Sequence, residues 1–318
     1  MKREMISVVI PCYRSEETIA GVVDRVEKTI IDDGRYDYEI ICVNDYSPDN
    51  TLEKLREVAS NNRKVKVISL SRNFGQHGAL MAGFHYIQGD IVVCLDDDGE
   101  TPPEEMFKLI DEMMDGGYDL VSARYEEDKR GIIRAIGSKI SFAMSRILVG
   151  RPKDIQLNSF YTFRSFIIKE VVKYDNPYPF VHGLILRVTK NMANVDIERG
   201  RRITGDSGYT LRKLIGLWMN GFTAFSEKPL RLATYLGMIS SFAGFLTAVV
   251  IIVKKIANPD MPMGYASMMT VMMFMFGIIM LVLGLLGEYI GRMYISINNA
   301  PQFVVKEEIN INEEDSDS

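Results

Sequence analysis

Apolar and polar positions alternate in blocks along the first 125 residues. Residues 5–10 form an apolar run that stops at Pro11, whereas residues 16–31 place Ile19, Val22, Val23, Val26 and Ile30 at helical spacing. The alternation then repeats. Runs at 38–43 and 65–70 flank a helix starting near residue 50, and a helix over 79–87 precedes a run at 90–95. Pro102 and Pro103 stand where a further helix begins, because proline is tolerated in a first turn, and 118–123 is the last strand of the series. Buried strands alternating with amphipathic helices predict an α/β fold with a mostly parallel sheet covered on both faces. Ligands of such sheets bind beyond the carboxyl ends of the strands. Those ends carry Pro11-Cys12-Tyr13, Asn44-Asp45, Ser71-Arg72-Asn73 and Asp96-Asp97-Asp98.

Further along, the pattern changes twice. Ile133, Ile136, Ile140, Met144 and Ile147 share one helical stripe interspersed with Lys129, Arg130, Arg134, Lys139 and Arg146. Such a helix suits a membrane interface or an ordinary protein surface. Residues 232–253 and 264–287 are then free of charge, and at 1.5 Å per residue the first spans roughly 33 Å, about a bilayer core. Only a tight turn with Asn258-Pro259 and Pro262 joins them, so they predict a transmembrane hairpin. Arg212, Lys213, Lys228, Arg231 and Arg292 outside it outnumber Lys254 and Lys255 in the turn, which places both ends on the cytoplasmic side. The acidic stretch from Glu307 onward is expected to fray.

Composition sharpens this division. Of 318 residues 47% are hydrophobic and 25% charged, a combination explained by a charged α/β region joined to an apolar hairpin. A net charge of −5 argues against a nucleic-acid partner, which needs a surplus of Lys and Arg. Cys12, Cys42 and Cys94 lie in apolar runs without a CxxC pair and read as reduced, buried thiols. His77, His85 and His182 lack zinc-site spacing. His77 reads as a packing residue at a helix start, and Gly75 and Gly83 as a turn and a helix contact.

The sharpest chemical signal is Asp96-Asp97-Asp98. Three carboxylates at the end of a buried strand repel one another unless a cation or basic group compensates. Oxygen donors of this kind suit Mg²⁺ or Mn²⁺ bound partly through substrate phosphates, and a solvated acidic turn is the alternative that the residues alone leave open. The stretch Asn44 to Asp49 suits hydrogen bonding to a base or ribose. Neither GxGxxG after the first strand nor GxxxxGK[ST] occurs, which argues against dinucleotide and P-loop sites.

Taken together, VVIPCYRSEETI, VNDYSPDNT, SLSRNFGQHGALMAGFHYIQGD, CLDDDGETPPEE, RITGDSGYTLRKL and LGLLGEYIGRMY resemble family-2 glycosyltransferases of the GT-A (Rossmann-like) fold. More closely, they resemble polyprenyl-phosphate glycosyltransferases, relatives of dolichol-phosphate mannose synthase and bactoprenol glucosyltransferase. The resemblance implies a catalytic domain over 1–230, with interfacial helices near 128–150 and 205–230. A hairpin over 231–291 (helices 232–253 and 264–290) and a cytoplasmic tail over 292–318 follow. It implies a metal-dependent, inverting transfer from a nucleotide-diphosphate sugar, with UDP favoured, to undecaprenyl phosphate at the cytoplasmic face of the inner membrane. Donor contacts would come from Pro11, Tyr13, Glu17, Asn44, Asp45 and Asp97. Asp96, Asp98 and Glu100 would hold Mg²⁺ or Mn²⁺. Arg124, Arg134, Ser138 and Arg202 would face the acceptor, and Asp96, Asp98 and Arg134 would carry catalysis. A tetramer and a lipid-linked-sugar flippase are the implied protein partners.

Several positions depart from the family pattern. P-x-Y-N-E reads Pro11-Cys12-Tyr13-Arg14-Ser15, so Glu16 or Glu17 must replace one acidic contact. Gly208 replaces the lysine after the RxxGxS serine, and Asn158-Ser159-Phe160-Tyr161 replaces S-D-F-R. Before the late proline, Asn298-Asn299-Ala300 replaces basic residues. The acceptor phosphate is already anionic, so loss of an aspartate at Ser159 leaves transfer feasible. Two alternatives remain, a processive polysaccharide synthase, against which the missing QxxRW segment counts, and a catalytically silent membrane scaffold.

Overall fold

The computed structural model describes residues 4–125, 152, 155–198, 228–257, 264–298 and 300–311. Arg134, Ser138, Arg202, the expected interfacial helix near 128–150 and all but residues 228–230 of the one near 205–230 lie outside the described residues. The chain divides into two compact units, Met1–Gly208 with Asn299–Ser318, and Tyr209–Asn298.

In the first unit, β1 (Met5–Cys12), β2 (Asp37–Asn44), β3 (Val65–Leu70), β4 (Ile91–Cys94), β5 (Leu120–Tyr125), β6 (Tyr161–Arg164), β7 (Met192–Ile197) and β8 (Val305–Ile309) form one sheet in the order β7-β5-β6-β4-β1-β2-β3-β8. Pairs β1–β2, β1–β4, β2–β3 and β5–β7 are parallel, while β6 and β8 run antiparallel to their neighbours. The sheet is therefore mostly parallel, as the alternation predicts, and agrees with the GT-A type that the family resemblance implies. Between the strands lie α1 (Ile19–Asp33), α2 (Thr51–Asn61), α3 (Gln76–Phe84), α4 (Met106–Asp115), α5 (Phe166–Val171) and α6 (Val181–Val188). On α1 the buried residues are Ile19, Val22, Val23, Val26 and Ile30, the stripe read from the sequence.

Two details set the geometry of the site. Pro11 lies inside β1 rather than ending it. The Val9 carbonyl accepts the Leu95 N–H, so Pro11, two residues on, faces the same edge, where β4 has already ended and no ladder bond is lost. Helix α3 lies close over β1 and β2 because Gly83 has no side chain: a Cβ there would sit 2.8 Å from Val9 Cγ1 and 3.1 Å from Val43 Cγ2. That helix begins three residues earlier than expected and stops at Phe84, since Gly75, at φ 81°, turns the chain into it.

The fraying expected from Glu307 fails for residues 307–309, which belong to β8. Its alternation of half-buried Val305, Glu307 and Ile309 with exposed Lys306 and Glu308 suits an edge strand, and a chain neighbour beyond the hairpin supplies the pairing. Asn310 Nδ2 then donates to the carbonyls of Ala59 and Val65 at 2.7 and 2.9 Å, and Arg56 pairs with Glu307 at 2.7 Å.

The second unit contains α7 (Lys228–Ala257) and α8 (Tyr265–Ile297). Ala233–Lys254 and Val271–Ile297 are each long and apolar enough to cross a membrane, and neither stretch is buried within the protein. A core helix of a soluble protein would be mostly covered. Both helices run past the expected ends, α8 by seven residues to Ile297.

Candidate functional site

The carboxyl ends of β1, β2 and β4 meet in a group of stitched loops. Behind β1, the Cys12 carbonyl accepts the Asp45 N–H at 3.0 Å, and the Arg14 N–H reaches Ser47 Oγ at 3.3 Å. Glu16 continues the seam, accepting the Asn50 N–H at 2.9 Å, while Glu17 is exposed. Arg14 and Tyr46 hold left-handed backbones, at φ 59° and 55°, and the rings of Tyr13 and Tyr46 are exposed.

Asn44 and Asp45 are buried and already engaged. Asn44 Oδ1 accepts the Ser47 N–H and its Nδ2 donates to Ser69 Oγ. Asp45 accepts the Phe74 N–H at 2.7 Å and the Gly75 N–H at 2.8 Å, one on each oxygen. Burial pushes its carboxyl above the ordinary range, and these two bonds oppose the shift. Asp45 thus braces the turn that launches α3.

The acidic triplet splits by side. Asp96 accepts from Gln76 Nε2 at 2.9 Å on one oxygen and from Ser159 Oγ on the other. Asp97 instead accepts the Tyr13 N–H at 2.9 Å, and its carbonyl takes the Thr18 hydroxyl at 2.6 Å. Asp98 caps the turn through Gly99 (φ 76°) by accepting the Glu100 N–H at 2.9 Å. Arg25 grips Glu104 with two bonds of 2.7 Å and ties the following turn to α1. Burial, then repulsion from Asp98, Asp97 and Glu100, pushes Asp96 up to about 6 against the Ser159 bond. No Lys or Arg forms an ion pair with Asp96, Asp97 or Asp98 among the described residues.

Beside Asp96 opens a cavity of about 180 Å³ lined by Pro11, His77, Leu80, Leu157, Ser159 and Tyr161 among others. His182 Nε2 donates to the Asn158 carbonyl at 3.2 Å, and its ring meets those of His77 and Tyr161 edge-on at 6.0 and 5.3 Å. His77 keeps some residue exposure, yet its Nδ1 is out of solvent and without a hydrogen-bond partner. Burial, then the neighbouring His182, lowers its imidazole to about 3, so the ring is neutral. Gln76, Tyr161 and His182 were not read as site residues from the sequence. Tyr161 lies on a four-residue strand whose partners are distant in sequence, and His182 sits on a short apolar helix without a motif.

A divalent cation fits the acidic end of this site. The donor set is hard oxygen, the charge is uncompensated, and Asp96 carries the cost as a raised pKa. Among the described residues no three such side chains form a ready-made cage. That suits an ion completed by substrate phosphates rather than a structural one. Arg124 stands at the end of β5, which β6 separates from β4, and its fork is occupied by Asp196 of β7 at 2.5 and 2.7 Å.

Residues 7–172 match the glycosyl transferase family 2 model, more than half of the chain. The chain belongs to glycosyl transferase family 2. Residues 228–293 match a second model, the GtrB C-terminal hairpin, over α7 and α8. The glycosyltransferase YkcC of Bacillus subtilis is 33% identical over 309 residues, covering 96% of this chain and 94% of the relative. The undecaprenyl-phosphate 4-deoxy-4-formamido-L-arabinose transferase of Proteus mirabilis is 32% identical over 313 residues, covering 98% and 95%. Among solved structures, mannosyl-3-phosphoglycerate synthase from Rubrobacter xylanophilus aligns with a TM-score of 0.53 at 20% identity, over 68% of this chain and 71% of that one. Glucosyl-3-phosphoglycerate synthase from Mycobacterium tuberculosis, solved with Mn²⁺, UDP-glucose and phosphoglyceric acid, gives 0.53 at 20% identity over 69% and 78%. These two share the fold. The family membership makes the chain a glycosyltransferase.

Proposed function

We propose that this glycosyltransferase moves one sugar from a nucleotide-diphosphate donor, UDP-linked by preference, to a polyprenyl phosphate at the cytoplasmic face of a membrane. The observation that carries the reading is the uncompensated Asp96–Asp98 carboxylate pair beside a cavity, in a chain that also carries two apolar helices of bilayer length. Support for the acceptor comes from the undecaprenyl-phosphate transferase relative, matched over nearly its whole length.

In this reading an acceptor phosphate oxygen attacks the anomeric carbon, the bond from that carbon to the donor diphosphate breaks, and the nucleoside diphosphate leaves with the electron pair. One displacement inverts the anomeric centre. The nucleophile is anionic at neutral pH, so no side chain has to remove a proton from it, and serine at 159 in place of the aspartate of the family pattern leaves transfer feasible. Asp96 and Asp98 would hold Mg²⁺ or Mn²⁺ together with donor phosphate oxygens, since Glu100, the expected third ligand, does not complete a three-carboxylate group with them among the described residues. When bound, the ion supplies charge stabilisation for the leaving diphosphate. Tyr13 and the Asp45-braced loop would frame the nucleotide, and Arg134, Ser138 and Arg202, with Arg124 once released from Asp196, would orient the acceptor phosphate. The hairpin would keep long-chain lipid and catalytic domain on one surface.

Radiolabelled UDP-glucose, UDP-galactose and GDP-mannose, each incubated with detergent-purified full-length protein and undecaprenyl phosphate, test this. Label from one donor should enter the organic phase only when the lipid is present. Nucleotide-sugar consumption with label remaining in water would contradict the acceptor, and long polymer would favour a processive synthase.

A further inference from the structure

The turn that launches α3 is tightly specified, and the residue it delivers reaches across to the acidic triplet. Gly75 stands at φ 81° and ψ 164°, a backbone region that only glycine enters without strain. A Cβ there would meet nothing within 4 Å, so the glycine answers to the backbone angles and not to crowding. Asp45 holds the turn by taking the Phe74 and Gly75 N–H groups, and the Gly75 carbonyl accepts the Ala79 N–H at 3.0 Å. The next residue is Gln76, whose Nε2 donates to Asp96 Oδ1 at 2.9 Å.

The surroundings of this bond argue against a role in folding. Gln76 is exposed, and a hydrogen bond with one end in water adds little to stability. Its value lies in what Asp96 needs. Asp98, Asp97 and Glu100 crowd that carboxylate with like charge, which favours turning it away from them. Gln76 takes one of its oxygens and Ser159 the other, so the plane of the carboxylate is fixed from both sides. Both donors are neutral, and the negative charge therefore stays available to a cation. Each carboxylate oxygen can accept two bonds, so an acceptor position stays open on each.

We propose that Gln76 is a positioning residue for the metal ion, holding Asp96 in the orientation that receives the cation while leaving its charge uncompensated. The inference rests on the reading above that Asp96 and Asp98 hold Mg²⁺ or Mn²⁺, and it adds a residue that does not itself touch the ion. A carboxylate already aimed binds a cation more tightly than one that must first be turned into place, because the ordering is done before the ion arrives. The Asp45-braced turn thereby supports the metal ligand as well as the nucleotide loop.

Mn²⁺ titration of detergent-purified full-length protein, alone and with UDP or GDP, followed by the melting shift, tests this without turnover. Gln76→Met keeps the length of the side chain and cannot donate. It should weaken Mn²⁺ binding at least about five-fold, towards the range seen when a partner of a metal ligand is lost. Without Mn²⁺ it should melt within about 3 °C of wild type, as expected for one exposed hydrogen bond. Gln76→Ala, the better helix former, repeats the measurement should the first variant fold poorly. A smaller loss of Mn²⁺ affinity overturns the proposal, and a larger fall in melting temperature without the ion overturns it by assigning the bond to folding. Wild type that takes up no Mn²⁺ under either condition would overturn the metal reading itself, a result distinct from wild-type binding that Gln76 does not influence.

Discussion

Ser159 Oγ donates a hydrogen bond to Asp96 Oδ2, joining the loop before β6 to the end of β4. A neutral donor at this position holds a carboxylate that burial and three acidic neighbours disfavour. Ser159→Ala should therefore lower stability by about 1–2 kcal/mol, the cost of leaving a buried acceptor with one partner fewer. Ser159→Thr, which keeps the hydroxyl, should lose less than half of that. Thermal melts of the two variants check this, and an alanine variant as stable as wild type would count against it.

The two sides of the acidic triplet predict unequal substitutions. Asp97 serves the backbone of Tyr13, and an asparagine oxygen can still accept that N–H. Asp98→Asn should reduce transfer on the order of 100-fold or more, the scale of removing one preorganised electrostatic group, whereas Asp97→Asn should stay within about ten-fold. Mn²⁺ titration followed by a melting shift gives an independent readout: Asp98→Asn should weaken the shift and Asp97→Asn should retain it. Equal losses in both variants would contradict the arrangement.

His77 links pH to stability. Its folded pKa, about 3, lies below the ordinary 6.5, so the unfolded chain takes up a proton that the folded one refuses. This contribution is complete above pH 6.5 and is lost as pH falls from there towards 3. At pH 5 the loss amounts to at most about 2 kcal/mol. His77→Gln should flatten the difference in denaturant stability between pH 7.5 and pH 5 by up to that amount. An unchanged pH slope would show that the imidazole is not held neutral.

Residues after the hairpin brace the sheet, and Asn310 tests how firmly. Its side chain donates to carbonyls at both ends of the α2–β3 connection, while its own backbone is left-handed at φ 60°. Asn310→Gly keeps the backbone geometry and removes the bonds, so a loss of about 1–3 kcal/mol isolates them. Hydrogen exchange should rise first in Val65–Leu70 of β3 and in β8. Unchanged protection there would mean that β8 does not hold the edge.

Sequence made the first five strands legible because each holds an apolar run broken at or near its end by a polar residue or proline, such as Asn44 at the end of β2. The stripe on α1 was equally plain, since its five apolar residues all face the core. What stayed hidden depends on distant partners. Strand β6 has four residues and exists through antiparallel pairing with β4 and β5, and β8 reaches β3 only after two long helices intervene. At the site, Asp96 and Asp98 stood out by charge alone. The bracing role of Asp45 did not, because its partners are backbone N–H groups at Phe74 and Gly75, which any residue type supplies. Nor did the ring contacts of His182 with His77 and Tyr161, which join residues far apart in the chain and carry no spacing rule.

The central claim is transfer of one sugar to a lipid phosphate by the acidic site. Mass spectrometry of the organic phase, after reaction of full-length protein with undecaprenyl phosphate and its preferred nucleotide sugar, tests it most directly. The account predicts a single new lipid whose mass exceeds undecaprenyl phosphate by one sugar residue, absent after chelation of divalent cations and from the Asp98→Asn variant. A product bearing several sugars, an unmodified lipid, or the same product from Asp98→Asn at an undiminished rate would contradict it.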